Sequence, residues 1–495
     1  MLVILAVTLL PPILIGSLIA RTFLPAYRPV PAAWLLNLSL GAGLGVGVLS
    51  LLFFLVRLLV GPSNIVYGVA EILTLAAAAA GCWLFRDKTL SGAEPERFGG
   101  WQWLLLAATT VCLAVAVAQF FDSSAAAPYG NWDAWSIWNL RAKLLAQPNE
   151  SWKNAFSPFL NQLGGGGATH GDYPLLLSAY IARCWSLTGS VEDVTVPIAV
   201  AGLFALATVG LLAGGLAVLR GWTAAFTGGL MLLGTAEFLH NSAWQFSDVP
   251  LGFFYLAVFV LVFLADATRG TGRVSVAAGL ALGCAAWTKD EGILFTPVAI
   301  AAFLAYVCLS RIDRQARAMA HLAAGAAVPL ATVVCFKAFL APRGASWGPL
   351  TLSVALTNMA KPWRYWRIAQ WMWQQLLRLG IGVANPAVSL AVLAACLGVP
   401  RERARRPVAL LSFAALAAIF GGYCLIYLTT PYDMEWQLGT SSGRLLMQLV
   451  PSAIFLTIAI CRTAEETAIA TEQPQTVTRV SRKKPRKAQT ARPVR

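Results

Sequence analysis

The sequence predicts an all-α, polytopic transmembrane helix bundle of about 13 spans with a long first extracytoplasmic loop. Three observations predict it. Of 495 residues, 58% are hydrophobic and 12% charged, and the mean hydropathy is +0.67, a balance that excludes an ordinary soluble domain. Apolar runs long enough to cross a bilayer recur along the chain. Lys and Arg gather in alternate connections between those runs, as they do in cytoplasmic loops.

The candidate spans fall near 1–20, 33–60, 65–86, 101–121, 194–219, 223–239, 249–266, 274–290, 292–310, 318–340, 380–400, 407–428 and 444–461. The first run lacks a basic leader and a small-residue cleavage site, so it reads as a retained span. Basic clusters at Arg21/Arg28, Arg86/Lys88/Arg97, Arg220, Arg269/Arg273, Arg311/Arg314/Arg317 and Arg401–Arg406 occupy alternate loops if the chain starts outside and ends inside. That parity requires residues 172–188, which Arg183 interrupts, to lie in or dip into the outer interface, with a helix opening at Pro174.

The chain then divides into N-terminal transmembrane helices (1–121), an extracytoplasmic loop with interfacial helices (122–193) and central transmembrane helices (194–340). An aromatic and basic extracytoplasmic loop (341–379), C-terminal transmembrane helices (380–461) and a basic, disordered cytoplasmic tail (462–495) complete it. Much of the net charge of +15 sits in the last 25 residues of that tail. Its Thr/Gln/Pro-rich start and its lysines and arginines suit anionic lipid better than nucleic acid. The nine cysteines are scattered, without metal-site spacing or a disulfide framework.

Sidedness collects the unusual polar groups on one face. The loops left outside are 122–193, 240–248, 287–292, 341–379 and 429–443. They hold Asp133, His170, Asp172, His240, Asp248, Lys289, Asp290, Glu291, Asp433, Glu435 and Arg444, and such convergence is what an active site needs. Asn131–Arg141 sets one carboxylate, Asp133, among Trp132, Trp135 and Trp138, whose flat faces suit a sugar ring or an isoprenoid chain. The alternative for this segment is an aromatic belt with a solvated acid.

Further along the first loop, Gly164–Gly167 offers a hinge before His170-Gly-Asp-Tyr-Pro174. In an extended segment His170 and Asp172 face the same side, so with Asp133 they are candidate ligands for a divalent metal. Asp248 opens a span just before Pro250, where it either complements the helix dipole or supplies a second carboxylate facing Asp133. Lys289, in Trp287-Thr-Lys-Asp-Glu-Gly292, departs from the positive-inside tendency and suits a phosphate or a pairing with Asp290 or Glu291. Lys361–Arg367 with Trp371 and Trp373 reads as an interfacial helix, and Arg444 as a phosphate clamp or an interface anchor.

Four blocks, in order, resemble the GT-C superfamily of glycosyltransferases, in the group of the protein O-mannosyltransferases and the lipid A aminoarabinose transferase. They are Trp132-Asp133 through Lys143; Asp172-Tyr-Pro-Leu-Leu through Gly189; Ser247-Asp248-Val-Pro-Leu; and Gly279 through Gly292. The likeness covers roughly residues 120–310, with Arg444 beyond it. It implies a GT-C-like bundle in a bacterial inner membrane, with a periplasmic active site and a polyprenyl-phosphate sugar donor. The acceptor would be a glycan, lipid or protein hydroxyl. Asp133 would be the essential first-loop acid and general base, Asp248 the second acid, and Lys289 and Arg444 the donor-phosphate cations. Trp132, Trp135, Trp138, His170, Asp172 and Tyr173 would line the substrate site.

The chain departs from the family pattern in several places. Ala134 stands where the mannosyltransferases have Glu, Tyr173-Pro174 replaces Pro-Pro, and Asp172 replaces a lysine. Four spans, rather than one, precede the first loop. Two other functions share parts of the pattern. An O-antigen ligase or polymerase would favour the 341–379 loop. A transporter or flippase of lipid-linked sugar would show an internal repeat, and the sequence has no clear one.

Overall fold

The computed structural model describes every residue except 29, 86–89, 92–97, 159, 161–168, 269–271, 311–314, 343–349, 381, 465 and 468–495. The chain is an all-α polytopic bundle. Its helices are α1 (Leu2–Phe23), α2 (Val30–Leu59), α3 (Asn64–Phe85), α4 (Gly100–Ala126), α5 (Leu140–Leu145) and α6 (Leu176–Thr188). Then follow α7 (Thr195–Arg220), α8 (Trp222–Leu233), α9 (Ala236–Ala243), α10 (Asp248–Ala267), α11 (Gly272–Thr288), α12 (Asp290–Leu309) and α13 (Gln315–Cys335). The last are α14 (Leu352–Met359), α15 (Pro362–Arg378), α16 (Pro386–Leu397), α17 (Pro407–Thr429) and α18 (Met434–Ile460). A two-residue parallel bridge joins Ala26–Tyr27 to Leu90–Ser91.

Among the described residues, ten helices are long and apolar enough to cross a membrane. The thirteen expected runs all become helical, but three give shorter elements. The run 223–239 breaks at Gly234 after the 12-residue α8, 274–290 gives the 17-residue α11, and 380–400 gives the 12-residue α16. At 1.5 Å per residue, a 12-residue helix reaches roughly 18 Å, short of a hydrocarbon core of about 30 Å.

Close backbone approach organises the bundle where small residues permit it. A Cβ at Gly16 of α1 would lie 1.8 Å from the Gly41 carbonyl oxygen of α2. A Cβ at Gly292 would lie 1.9 Å from the Ala285 carbonyl oxygen, so only glycine lets α11 and α12 turn back this tightly. That reversal presents Lys289, extended at the N-terminus of α12, with Asp290 and Glu291 in the first turn, where carboxylates complement the helix dipole.

The segment 172–188, expected as a helix opening at Pro174, packs inside the protein. Helix α6 starts at Leu176, two residues after Pro174, and Leu176–Trp185 are all buried in the protein. Arg183, 1% exposed, is ion-paired with Glu71 of α3 and donates to Tyr67 Oη (2.9 Å) and the Val7 carbonyl (2.8 Å). Tyr180 Oη donates to the Thr8 carbonyl, 2.5 Å away. A buried guanidinium persists because its charge and its donors are all met. Ser50 of α2 donates to the Leu176 carbonyl (2.7 Å) and accepts from Trp287 Nε1 (3.1 Å), linking α2, α6 and α11. Helices α1, α2 and α3 thus hold the first loop in place.

The expected start of the disordered tail also moves. Arg220 at the end of α7 and Arg403 both pair with Glu466, at 3.0 and 2.6 Å, so the chain just after α18 belongs to the folded body. These pairs hold the Glu466 carboxyl well below the usual carboxylate range, its hydrogen bond from Arg403 contributing most. The lysines and arginines of 479–495 lie outside the described residues.

Candidate active site

The site forms where the first loop meets the N-termini of α10, α12 and α18. After Gly130 (φ 74°), Asn131 N donates to the Trp244 carbonyl at 3.2 Å. Asn139 Nδ2 donates to Gln245 Oε1 (3.0 Å), and Gln245 Nε2 donates to the Pro128 carbonyl (3.0 Å). These bonds sew the segment around Asp133 to the loop leading into Asp248. Ala134–Asn139 forms a π-helical turn, a wide turn often found at functional positions.

Arg444, about three turns after the Asp433 cap of α18, joins the two carboxylates. Its Nη1 donates to Asp133 Oδ2 and lies 4.0 Å from Asp248 Oδ2, and its guanidinium lies 4.8 Å from the Phe246 ring centroid. Asp248, 1% exposed, accepts from Lys289 Nζ (3.0 Å) and from Gln448 Nε2 (2.5 Å). Lys289 Nζ also lies 3.0 Å from Glu291 Oε1. Gln448 Oε1 accepts from Tyr423 Oη (2.5 Å), which is 3.2 Å from Tyr255 Oη, and Tyr255 donates to the Glu291 carbonyl (2.8 Å). Asp133, Asp248, Lys289 and Arg444 therefore form one continuous charge network.

Exposure separates their roles. The Asp133 and Arg444 side chains are 20% and 18% exposed, whereas Asp248 and Lys289 are 1% and 6%. Burial acts to lower the Lys289 pKa, but Asp248 and Glu291 outweigh it and hold the ammonium protonated well above its ordinary value. The expectation that Lys289 contacts a phosphate directly meets an obstacle: its amino group is enclosed by the two acids.

The His170–Pro174 segment lies beside this network. Arg141, wholly buried, donates to the carbonyls of Ala155 (3.0 Å), Gly171 (3.0 Å) and Tyr173 (2.6 Å) and so fixes the loop. Burial lowers its pKa to about 9, against the pull of Asp172 and Asp290. His170, at φ 41°, stacks on Tyr173 with ring centroids 4.7 Å apart. Its pKa is lowered, chiefly by burial. Asp172 lies 3.8 Å from Lys337 Nζ, which is also 2.6 Å from Asp290.

Two expectations change here. Trp138 does not line an open site: it is 1% exposed and stacks behind Tyr173, centroids 5.8 Å apart. Trp132 and Trp135 do face outward, 50% and 44% exposed, as an edge-to-face pair 4.6 Å apart. The metal expectation for Asp133, His170 and Asp172 finds no support, since no group of three His, Cys, Asp or Glu suited to a metal occurs among the described residues. Asp133 meets Arg444 and Asp172 meets Lys337 instead. Gly164–Gly167 lie outside the described residues.

Sequence reasoning passed over Gln448 and Lys337. Gln448 follows Arg444 by one helical turn, so the i, i+4 spacing was its available signal. Lys337 is a lone cation near the end of an apolar run, and such residues usually mark function.

The expected interfacial helix, α15, is tied down rather than free. Arg364 donates to the Leu428 and Tyr427 carbonyls (3.1 and 2.8 Å), and Arg367 pairs with Glu435 at 2.5 Å. Trp363, Trp366 and Trp373 remain exposed.

No protein-family model and no curated protein matches the chain. Among solved structures, the chain is similar to the crystal structure of ArnT from Cupriavidus metallidurans bound to undecaprenyl phosphate. The two share 16% identity at a TM-score of 0.44, over 73% of this chain and 60% of that one. The apo structure of the same protein gives 17% identity and a TM-score of 0.43, over 72% and 59%. The chain spans about three-fifths of the length of these structures.

Proposed function

We propose that this protein is a membrane glycosyltransferase of the GT-C type. It moves a sugar from a polyprenyl-phosphate donor to an acceptor hydroxyl on the extracytoplasmic face of a bacterial inner membrane. One observation carries the reading: Asp133 is an accessible carboxylate, oriented by Arg444, on a loop with two outward-facing tryptophans at one end of an apolar bundle.

In the reaction, the acceptor hydroxyl gives its proton to Asp133, and its oxygen bonds to the anomeric carbon. The bond from that carbon to the phosphate oxygen breaks, and the polyprenyl phosphate leaves with the electron pair. Attack opposite the leaving group inverts the anomeric centre. General-base assistance of this kind contributes about 10²–10⁴-fold in rate. Arg444 orients the carboxylate and offers positive charge to the departing phosphate, where a preorganised cation is more effective than water. Asp248, too enclosed to meet substrate, anchors Arg444 and Lys289. Trp132 and Trp135 supply faces for the sugar.

The test is mass spectrometry of lipid-linked sugars and glycoconjugates in cells lacking the protein. The reading expects a polyprenyl-phosphate sugar to accumulate and one glycoconjugate to disappear. Unchanged pools of both would contradict it.

A further inference from the structure

Four cations stand near the site, and their surroundings differ. Arg141 is wholly buried and spends its donors on backbone carbonyls. Lys289 is enclosed between Asp248 and Glu291. Arg444 is 18% exposed and already bonded to Asp133. Lys337 is the most accessible of the four, with 28% of its side chain exposed.

Its backbone setting is also unusual. Lys337 lies in a π-helical turn, Phe336–Leu340, that continues α13. Such turns interrupt the regular ladder and recur at functional positions. Phe336 of the same turn is buried against Trp287 and Phe54, ring centroids 5.9 and 6.2 Å away, so the turn is anchored on the side of the Lys289 reversal. Of the two acids beside Lys337, Asp290 is at 2.6 Å, but Asp172 is at 3.8 Å, beyond a direct hydrogen bond. An ammonium has three donors, and a phosphate oxygen is a natural further acceptor for one of them. Asp172 immediately precedes Tyr173, which packs with His170 and Trp138, so Lys337 borders the candidate active site.

We infer that Lys337 is the cation that receives the phosphate of the lipid-linked donor, while Lys289 serves to position Asp248. The inference rests on the glycosyltransferase reading and deepens it. It makes the phosphate group, rather than the lipid chain alone, the feature recognised at this edge of the site. Lys337 binds the donor phosphate at the edge of the site bordered by Asp172 and Asp290.

The test measures binding of undecaprenyl phosphate, undecaprenol and inorganic phosphate to the full-length protein in nanodiscs. Wild type should prefer undecaprenyl phosphate to undecaprenol. Lys337→Gln should weaken undecaprenyl phosphate by about tenfold, the scale of one charge-assisted hydrogen bond, and leave undecaprenol unchanged. Lys337→Arg should retain most of the affinity. The double variant Asp290→Asn/Lys337→Gln also removes the acid in direct contact with Lys337 and should show the same loss with a native melting temperature. Equal affinity of wild type and both Gln-bearing variants for undecaprenyl phosphate overturns the inference alone. No preference of wild type for the phosphate over the alcohol overturns it together with the glycosyltransferase reading. Competition by inorganic phosphate at the same concentration as the lipid would reassign Lys337 to free phosphate and overturn the lipid assignment.

Discussion

Arg444 donates directly to the carboxylate of Asp133, a residue 311 positions earlier in the chain. The contact closes the bundle on itself, since the first loop and the last long helix meet at one guanidinium. Behind it, Asp248 lies 4.0 Å from the same nitrogen and carries Lys289 and Gln448. A partly exposed acid is thus backed by a buried one, and the two are linked by one cation.

Breaking the buried part of this network should be costly. Lys289→Met leaves Asp248 with an uncompensated charge, and loss of one partner of a buried pair costs about 3–5 kcal/mol. The double variant Asp248→Asn/Lys289→Met should recover part of that loss, because the buried Asp248 charge is removed and only the partly exposed Glu291 lacks its cation. Denaturation of wild type, Asp248→Asn, Lys289→Met and the double variant in detergent measures the coupling. Strictly additive losses would mean that the two side chains do not act as a pair.

The tryptophans should separate by function. Trp138→Ala removes a fully buried ring and should destabilise the protein by about 3–5 kcal/mol. Trp132→Ala and Trp135→Ala remove exposed rings and should leave the melting temperature nearly unchanged while raising the KM for the sugar-bearing substrate several-fold. Thermal melts alongside transfer kinetics give both readouts. A large melting shift from Trp132→Ala would count against a substrate-facing role.

The pairing of Arg183 with Glu71 should anchor α6. Glu71→Gln weakens a nearly buried ion pair and should lower stability by about 3 kcal/mol. It should also raise hydrogen exchange in Leu176–Thr188 relative to α10. Unaltered exchange there would show that packing alone holds the helix.

Acid should destabilise the first loop through His170. Burial lowers its folded pKa below the ordinary value near 6.5. Between those two values the unfolded chain binds a proton that the folded chain does not, so stability falls as pH drops through that window. His170→Gln should flatten the decline in melting temperature as pH falls below about 6.5. An identical slope in the variant would assign the acid sensitivity elsewhere.

Much of this arrangement was legible in the sequence for a physical reason. A bilayer confines charge to helix ends and sorts basic loops to one side, so Asp133, Asp248, Lys289 and Arg444 declare a shared face without any knowledge of packing. What stayed hidden depends on contacts distant in the chain. Arg183 reads as a bare interruption of 172–188 in the sequence, because its partner Glu71 lies 112 residues away. Three tryptophans in one loop look alike until folding buries Trp138 behind Tyr173. Lys337 was hidden within an apolar run, where its neighbours Asp172 and Asp290 arrive from two other segments.

The most direct test of the central claim is single-turnover transfer by Asp133→Asn with purified donor. The substitution keeps the shape of the side chain and removes the base. The account predicts a native melting temperature, retained affinity for undecaprenyl phosphate and a transfer rate reduced by at least about 100-fold. Transfer at the wild-type rate by a folded, donor-bound Asp133→Asn protein would contradict it.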